Sequence, residues 1–183
     1  MNDVCIYNQS DFPPVLKWQV IAFMKTAWPG IFQEEGKFLD EPYPAALNPV
    51  HFALHQGDAL ISYATIMRQP LTHAGQRFSL CCFGNMFTFP PYRHAGYGLQ
   101  VLQAATSYIQ QSDADVAALF CVEKLVAFYA QCGWVRMASP THIGTPDQYE
   151  VKVTPRLMLF LSQPGQAAWQ AFDQEPLLVT WPW

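Results

Sequence analysis

The chain has 183 residues, of which 51% are hydrophobic and 13% charged, and its formal net charge is −4. This length suits one folded domain over residues 1–183, and the composition excludes a disordered chain. The acidic balance, with no basic cluster, argues against nucleic acid as a partner. No apolar run approaches the ~18 residues of a membrane span, and the first residues lack a signal-peptide pattern. We therefore expect a cytoplasmic protein with no membrane partner.

The five cysteines have spacings that fit neither a disulfide framework nor a zinc site. We interpret them as small buried hydrophobic residues in a reducing compartment, and we expect no bound metal. The oligomeric state is left open, a homodimer included.

The first half of the chain predicts a strand, a helix and three antiparallel strands. "DVCIYNQ" suits a first strand, and the apolar spacing of "VLKWQVIAFMKTAW" predicts a helix that ends at a Pro-Gly pair. Residues 29–49 read as a loop, with or without a short helix. Two apolar runs around "QGD" predict a hairpin, and "THAGQ" turns the chain into a third strand, "RFSLCCFGNMFTF".

The second half alternates helices and strands. "GYGLQVLQAATSYIQQ" predicts an amphipathic helix, and "ADVAALFCV" is the apolar run of a strand covered on both faces. "EKLVAFYAQCGW" predicts a second helix closed by Gly133. Strands at "WVRM" and "PRLMLFLS" and a tail over residues 163–183 follow. This order predicts an α/β (α+β) fold with a mixed, largely antiparallel sheet.

The stretch "PPYRHAGYG" joins the third strand to the middle helix. Gly96 and Gly98 supply backbone freedom, and Arg93 adds a positive charge where the helix begins. A helix N-terminus exposes unpaired N–H groups, so a phosphate can bind there if the backbone comes close. The stretch matches neither a P-loop nor the three-glycine dinucleotide fingerprint. A two-glycine turn by itself is also ordinary loop chemistry.

Two motifs in this order of elements resemble the GNAT superfamily of acyl-coenzyme A-dependent N-acyltransferases. The family's pyrophosphate loop, Gln/Arg-x-x-Gly-x-Gly/Ala, is matched by "RHAGYG" at residues 93–98. A later Phe/Leu-Tyr-x-x-x-Gly-Phe/Trp element is matched by "FYAQCGW" at residues 128–134. The resemblance implies a GNAT-like mixed sheet of six to seven strands, flanked by helices, with a splayed central strand pair.

The resemblance also implies acetyl-coenzyme A as the acyl donor. Its pyrophosphate would bind the glycine loop, and its pantetheine arm would pair with the backbone of the strand before that loop. Backbone N–H groups nearby would hold the thioester oxygen as negative charge develops. The implied cofactor-binding residues are Met86, Phe87, Thr88, Arg93, His94, Ala95, Gly96, Tyr97 and Gly98.

Tyr129 is the candidate catalytic residue. The resemblance implies that it donates a proton to the departing coenzyme A thiolate. A phenol with a pKa near ~10 suits a thiolate whose conjugate acid has a pKa near ~8.5. A tyrosine on an apolar helix face is also often part of the core.

The general base is where the motif match fails. The hairpin "VHFALHQGDALISYATI", Asp40 in the loop before it and Trp183 resemble the aminoglycoside 2'-N-acetyltransferase branch. That branch has a glutamate at the position of Gly84. Glycine cannot reach a proton, directly or through water. Another carboxylate could serve, the amine could lose its proton to solvent, or the protein could bind acyl-coenzyme A with little turnover. The candidate carboxylates are Glu34, Glu35, Asp40 and the terminal carboxylate of Trp183.

The acceptor side is expected around "IFQEEGKFLDEPY", residues 31–43, where carboxylates lie beside aromatic residues. This mixture suits an amine-bearing, partly apolar acceptor, and it equally suits a solvated acidic loop. Trp181 and Arg156 stand where the branch has acids, so a polycationic acceptor is disfavoured.

We expect an N-acetyltransferase that acts on a primary amine of a small molecule by direct attack. The alternatives are an acyl-coenzyme A sensing module with little turnover and an enzyme for longer acyl chains. The expected substrate-binding residues are Glu34, Glu35, Asp40, Gly84 and Trp183.

Overall fold

The computed structural model describes residues 3–33, 38–180 and 183, and it contains ten strands and five α-helices in that part of the chain. The strands are β1 (Cys5–Asn8), β2 (Val50–Gln56), β3 (Ala59–His73), β4 (Gln76–Thr88), β5 (Val116–Phe120), β6 (Val135–Arg136), β7 (Thr141–Thr145), β8 (Gln148–Lys152), β9 (Arg156–Phe160) and β10 (Leu177–Val179). The helices are α1 (Pro14–Ala27), α2 (Tyr97–Gln110), α3 (Val126–Ala130), α4 (Gln163–Ala167) and α5 (Trp169–Gln174).

Seven strands form a mixed sheet in the order β1-β2-β3-β4-β5-β9-β6, and three form a second sheet in the order β10-β7-β8. In the larger sheet β4 and β5 run parallel, whereas the β1–β2, β2–β3, β5–β9 and β6–β9 pairs are antiparallel. The predicted α+β class, with a mostly antiparallel sheet of seven strands flanked by helices, is confirmed.

Contacts divide the chain into two compact units, residues 1–67 with 85–105 and residues 68–84 with 106–183. The expectation of a single domain over residues 1–183 stays a prediction. No described helix has the length and apolar character that crossing a lipid bilayer requires.

The first unit is built on the apolar face of α1. Leu16, Val20 and Met24 recur every four residues, which places them on one side of the helix, and all three are buried. They share a core cluster with Tyr63 of β3 and Phe87 of β4. Each such side chain stabilises the fold by about 1.5–3 kcal/mol when it is removed from water. Pro14 begins the helix at a position where a missing N–H costs nothing.

The second unit has its core around Trp134, which is 2% exposed. Its ring meets Phe83 of β4 edge to face at 5.6 Å, and its indole N–H donates to Thr106 Oγ1 at 3.1 Å. The hydrogen bond satisfies the polar group that burial of a tryptophan would otherwise leave unpaired. Four of the five β5 residues are buried, as expected for a strand covered on both faces.

Three segments differ from the sequence-based expectation. The helix predicted over "EKLVAFYAQCGW" is shorter, because a 3-10 turn over Glu123–Leu125 precedes α3; Gly133 does follow it with a positive φ of 84°. The hairpin of β7 and β8 was not predicted, although Pro146 and Asp147 at its turn are a usable signal. The predicted tail instead contains α4, α5 and β10.

Helix α4 shows why the tail folds. Ser162 caps it by accepting a hydrogen bond from the N–H of Gly165 at 3.1 Å. A Cβ on Gly165 would lie 2.2 Å from the carbonyl oxygen of Asp115, so only glycine fits at this contact. Asp115 also accepts a hydrogen bond from Ser162 Oγ at 2.5 Å. The Ser-x-Pro-Gly pattern was visible in the sequence, but the partner that makes it a helix was not.

Candidate active site

The predicted pyrophosphate loop is an exposed turn that opens α2. Residues 90–96 are exposed, and the N–H of Gln100 donates to the carbonyl oxygen of Gly96 at 3.1 Å. This bond marks Gly96 as the residue that caps the helix, so the N–H groups of the first turn after it have no partner within the helix. These N–H groups form the positive end of the helix dipole.

The backbone of this turn is left-handed at two positions. Gly96 has a φ of +82°, and His94 has a φ of +66°, which is uncommon for a residue with a side chain. No heavy atom lies within 4 Å of the position that a Cβ on Gly96 would take, so the surface over the turn is open. An exposed, glycine-bearing helix start with free space above it fits a diphosphate.

Arg93 lies beside this turn and is exposed. Its Nε donates to the carbonyl oxygen of Thr88 at 3.0 Å, which holds the side chain against the end of β4. The two terminal nitrogens of the guanidinium carry four further N–H donors. In the described chain none of these four donors forms a hydrogen bond, so the guanidinium can still bind an anion.

The end of β4 presents backbone groups to both of its edges. The N–H of Phe89 donates to the carbonyl oxygen of Ile61 at 3.0 Å, and the carbonyl of Phe87 accepts from Ser62 Oγ at 2.9 Å. Both bonds point towards β3. Because backbone groups alternate along a strand, those of Met86 and Thr88 point to the opposite edge. The Phe87 side chain meanwhile stacks on Phe23 at 3.9 Å.

In the second unit, the β4–β5 ladder covers three residue pairs and ends at Cys82 and Ala118. Both strands continue beyond it, β4 through Phe83 and Gly84 and β5 to Phe120. The continuing residues of β5 remain paired with β9 on the other side. The β4–β5 ladder thus ends while both strands continue. This is expected for the splayed strand pair that the sequence analysis predicted.

Tyr129 lies on α3 and is 6% exposed. Its ring meets that of Phe83 edge to face at 6.1 Å. Burial raises the pKa of Tyr129, and the nearby Cys121 thiol raises it further in its charged form. No group in the described chain accepts or donates a hydrogen bond at its hydroxyl. A buried tyrosine usually has such a partner, so this hydroxyl is available to a ligand.

Trp183 lies next to the residue at which the β4–β5 ladder ends. Its indole N–H donates to the carbonyl oxygen of Ala118 at 3.2 Å, and its ring lies 5.0 Å from that of Phe120. Gly84 is a buried residue of β4 in the same unit, and it has no side chain that could serve as a base.

The other predicted acceptor residues belong to the segment between α1 and β2. Asp40 is exposed in the segment between α1 and β2. Glu34 and Glu35 lie outside the described residues. Within the same loop, Glu41 is engaged by Lys17, whose Nζ donates to its Oε1 at 2.5 Å.

The sequence analysis missed two polar features. One is a buried relay in the first unit, in which His51 bonds Tyr63 and Gln9 at 2.5 and 2.7 Å. His51 and Tyr63 lie on the same face of the β2–β3 pair. The alternation of side chains along the two predicted strands is the signal that could have found this contact. The other is a cavity in the second unit around Arg156, where only the charge of a residue in an apolar strand gave a hint. No cluster of three His, Cys, Asp or Glu that could hold a metal occurs among residues 3–33, 38–180 and 183.

No protein-family model matches the chain, and no curated protein matches it in sequence. Solved structures do match it in fold. An acyl-CoA N-acyltransferase from Pseudomonas aeruginosa superposes with a TM-score of 0.58 at 17% identity, over 86% of this chain and 99% of that one. An aminoglycoside 6'-N-acetyltransferase in complex with coenzyme A gives 0.57 at 12% identity, over 86% and 97%.

A conserved protein from Enterococcus faecalis V583 gives a TM-score of 0.53 at 13% identity. The match covers 73% of this chain, which spans only 32% of the length of that protein. An acetyltransferase of the GNAT family from Staphylococcus aureus gives a TM-score of 0.56 at 13% identity, over 88% of this chain and 100% of that one. The chain therefore has the GNAT fold, the class to which its two sequence motifs pointed.

Proposed function

We propose that this protein is an N-acyltransferase that transfers an acetyl group from acetyl-coenzyme A to a primary amine of a small molecule. The observation that carries the proposal is the glycine turn at the start of α2. It is exposed, its Gly96 is left-handed with free space above it, and it lies on a GNAT fold. A turn of this kind suits the diphosphate of coenzyme A.

The donor is assigned to two stretches of the first unit. The N–H groups of residues 97–99 and the guanidinium of Arg93 bind the diphosphate, with His94, Ala95 and Gly96 forming the turn below it. The backbone groups of Met86 and Thr88 pair with the pantetheine arm, while Phe87 keeps its side chain in the core. The Thr88 carbonyl already accepts from Arg93, and its second lone pair remains for the donor.

The reaction is a direct displacement at the thioester carbon. The amine nitrogen forms the new C–N bond, the carbon–sulfur bond breaks, and coenzyme A leaves as a thiolate. Backbone N–H groups of the β4 end stabilise the oxygen as it becomes negative. The hydroxyl of Tyr129 donates a proton to the departing sulfur, and the nitrogen, which becomes positively charged as the C–N bond forms, releases one proton that restores the Tyr129 hydroxyl through solvent. Because burial raises its pKa, Tyr129 stays neutral and keeps its proton for this donation at working pH.

The absence of a side chain at Gly84 means that this position cannot deprotonate the amine. In the proposed reaction the acceptor reaches the site as the free amine, after its proton has gone to solvent. The rate should then rise with pH until the acceptor amine itself is deprotonated. Asp40 and Trp183 contribute to acceptor binding rather than to proton transfer in this proposal.

The finer resemblance to the aminoglycoside 2'-N-acetyltransferase branch is carried by the β2–β3 hairpin, Asp40 and Trp183. The structure at Arg156 supports an acceptor other than a polycation, because this buried cation lies where that branch has acids. Highest turnover on kanamycin-class substrates in a broad amine panel would contradict this part of the proposal. The free state of all five thiols supports a reducing, cytoplasmic compartment.

Gly84 also supports a second candidate, a module that binds acyl-coenzyme A with little turnover. A broad panel of amines with acetyl-coenzyme A, read by thiol release, separates the two. Release with at least one amine supports the transferase, whereas calorimetric binding of acetyl-coenzyme A without release supports the module. Competition among acetyl, butyryl and longer thioesters then tests whether the acyl group is longer. No binding of any of them overturns both candidates.

A further inference from the structure

The second unit contains a cavity of about 310 Å³ that the proposed reaction does not yet use. It is lined by residues 136–141 and 151–156, which are the segment after β6 and the segment that joins β8 to β9. Three polar side chains in this lining have a donor group that no acceptor in the described chain engages. The groups are Lys152 Nζ, Thr154 Oγ1 and Arg156 Nε.

Arg156 is 2% exposed, yet its guanidinium has no carboxylate among its bonded partners in the described chain. Its four bonds go to neutral oxygens, namely the carbonyls of Pro140 and Phe172 and the hydroxyls of Thr141 and Ser139, at 2.7–3.2 Å. Its Nε has no partner. Asp173 acts on this charge electrostatically but does not bond it, and burial still lowers the pKa of Arg156, so an anion bonded to the guanidinium would be favoured.

Lys152 supplies a second positive charge. Its Nζ lies 4.4 Å from the ring centroid of Phe120, and no carboxylate in the described chain pairs with it. Thr154 adds a buried hydroxyl that has no partner. No acid is among the residues that line the cavity in the described chain, and two acids near it have other partners. Glu123 pairs with Arg136 at 2.6 Å, and Asp173 accepts from the N–H of Ala138 at 2.8 Å.

A run of ring contacts joins this cavity to the end of the β4–β5 ladder. Lys152 lies over Phe120, the Phe120 ring lies 5.0 Å from that of Trp183, and Trp183 bonds the carbonyl of Ala118. Ala118 is the last β5 residue that pairs with β4. A ligand in the cavity is thus next to Trp183, one of the two residues assigned above to the acceptor.

We propose that this cavity binds the carboxylate of the acceptor, so that the substrate class is an amine that carries a carboxylate, such as an amino acid. One ammonium, one guanidinium N–H and one hydroxyl match the charge and the two oxygens of a single carboxylate. The identification of the ligand as the acceptor rests on the proposed function, whereas the carboxylate site is inferred from the cavity alone.

The test compares L-leucine, L-methionine and L-phenylalanine with their carboxamides. Thiol release from acetyl-coenzyme A gives kcat/KM for each, and saturation-transfer NMR without coenzyme A gives binding. The carboxamides have the less basic amines, which favours them chemically, so a preference for the acids reports recognition of the carboxylate. We expect the acids to be preferred by about tenfold or more, the usual worth of a charge-assisted hydrogen bond.

Two variants and a control locate the effect. Lys152→Met and the nearly isosteric Thr154→Val should each reduce the preference, Lys152→Met to less than about twofold. Arg77→Met removes the same unit charge from an exposed residue at the start of β4 and should keep the preference. Thermal unfolding checks that each variant is folded. If Lys152→Met does not fold, the native protein and Thr154→Val decide the question.

The outcomes separate this inference from the proposed function. Acid preference in turnover and binding, lost in Lys152→Met and kept in Arg77→Met, supports both. Lys152-dependent binding of the acids with no thiol release from any amine supports the carboxylate site and overturns the transferase. Equal turnover or equal binding of acids and carboxamides, or a preference that survives Lys152→Met, overturns the carboxylate site and leaves the transferase standing.

Discussion

The indole N–H of Trp183 donates to the carbonyl oxygen of Ala118 at 3.2 Å, at the residue where the β4–β5 ladder ends. The Trp183 ring also packs near Phe120, so the side chain is held by one hydrogen bond and one ring contact. This relationship ties a residue of the predicted tail to the strand pair that is central to the proposed reaction.

Replacing Trp183 should therefore affect the acceptor more than the donor. We expect Trp183→Ala to raise the KM of the acceptor amine and to leave the KM of acetyl-coenzyme A nearly unchanged. Trp183→Phe keeps a ring but loses the N–H donor, so its effect should be limited to about 1 kcal/mol. Trp169→Ala, at an exposed tryptophan of α5, is the matched control. A rise in the donor KM alone would contradict the placement of Trp183.

Gly96→Val should weaken coenzyme A binding by about 2 kcal/mol or more, because the side chain would fill the open space over the turn and strain a left-handed backbone. Calorimetry with coenzyme A measures the effect. Gly57→Val is a close control, since Gly57 also has a positive φ and open space but lies in the β2–β3 turn. The proposal requires Gly57→Val to bind as tightly as the native protein, and equal binding by Gly96→Val would remove the phosphate site.

Tyr129→Phe should lower kcat by about a hundredfold, the usual effect of removing a general acid, while the affinity for acetyl-coenzyme A stays nearly intact. Because burial raises the pKa of Tyr129, the native kcat should not fall as pH passes the ordinary tyrosine value of ~10. Tyr7→Phe, which removes a hydroxyl that bonds His55 on the β1–β2 pair, controls for the loss of a tyrosine hydroxyl. An unchanged kcat in Tyr129→Phe would exclude this residue from the mechanism.

The buried His51 should make the protein sensitive to acid. Burial lowers the pKa of His51 to about 4, so the folded state keeps the imidazole neutral where an unfolded chain would protonate it. Its contribution to stability is therefore complete above the unfolded pKa of ~6.5 and is lost as pH falls towards the folded value. The free energy of unfolding should fall by roughly 3 kcal/mol over this interval on account of His51.

Denaturant unfolding between pH 4 and pH 7 measures that slope. His51→Gln removes the titrating group, so the variant should lose this part of the pH dependence even if it is less stable throughout. His55→Gln, on the same strand, leaves His51 and its bonds to Tyr63 and Gln9 in place and should keep the slope. Identical pH dependence in His51→Gln and the native protein would show that the buried imidazole is not the cause.

The sequence by itself determined the elements whose signals are local. The spacing of Leu16, Val20 and Met24 specifies α1, because a helical period needs no partner to be read. The glycine turn before α2 was predicted for the same reason, since Gly96 and its neighbours are adjacent in the chain. The α+β class followed from the order of such elements, and the motifs at residues 93–98 and 128–134 were matched by resemblance to a known family.

Only the tertiary structure decided which residues meet across long separations. Helix α4 depends on the approach of Gly165 to Asp115, and the position of Trp183 depends on Ala118, 65 residues earlier. The cavity around Arg156 likewise combines two segments that no local pattern connects. The physical reason is that burial and hydrogen-bond partners are properties of the packed chain, so a charge such as Arg156 shows its lack of a carboxylate partner only once its neighbours are in place.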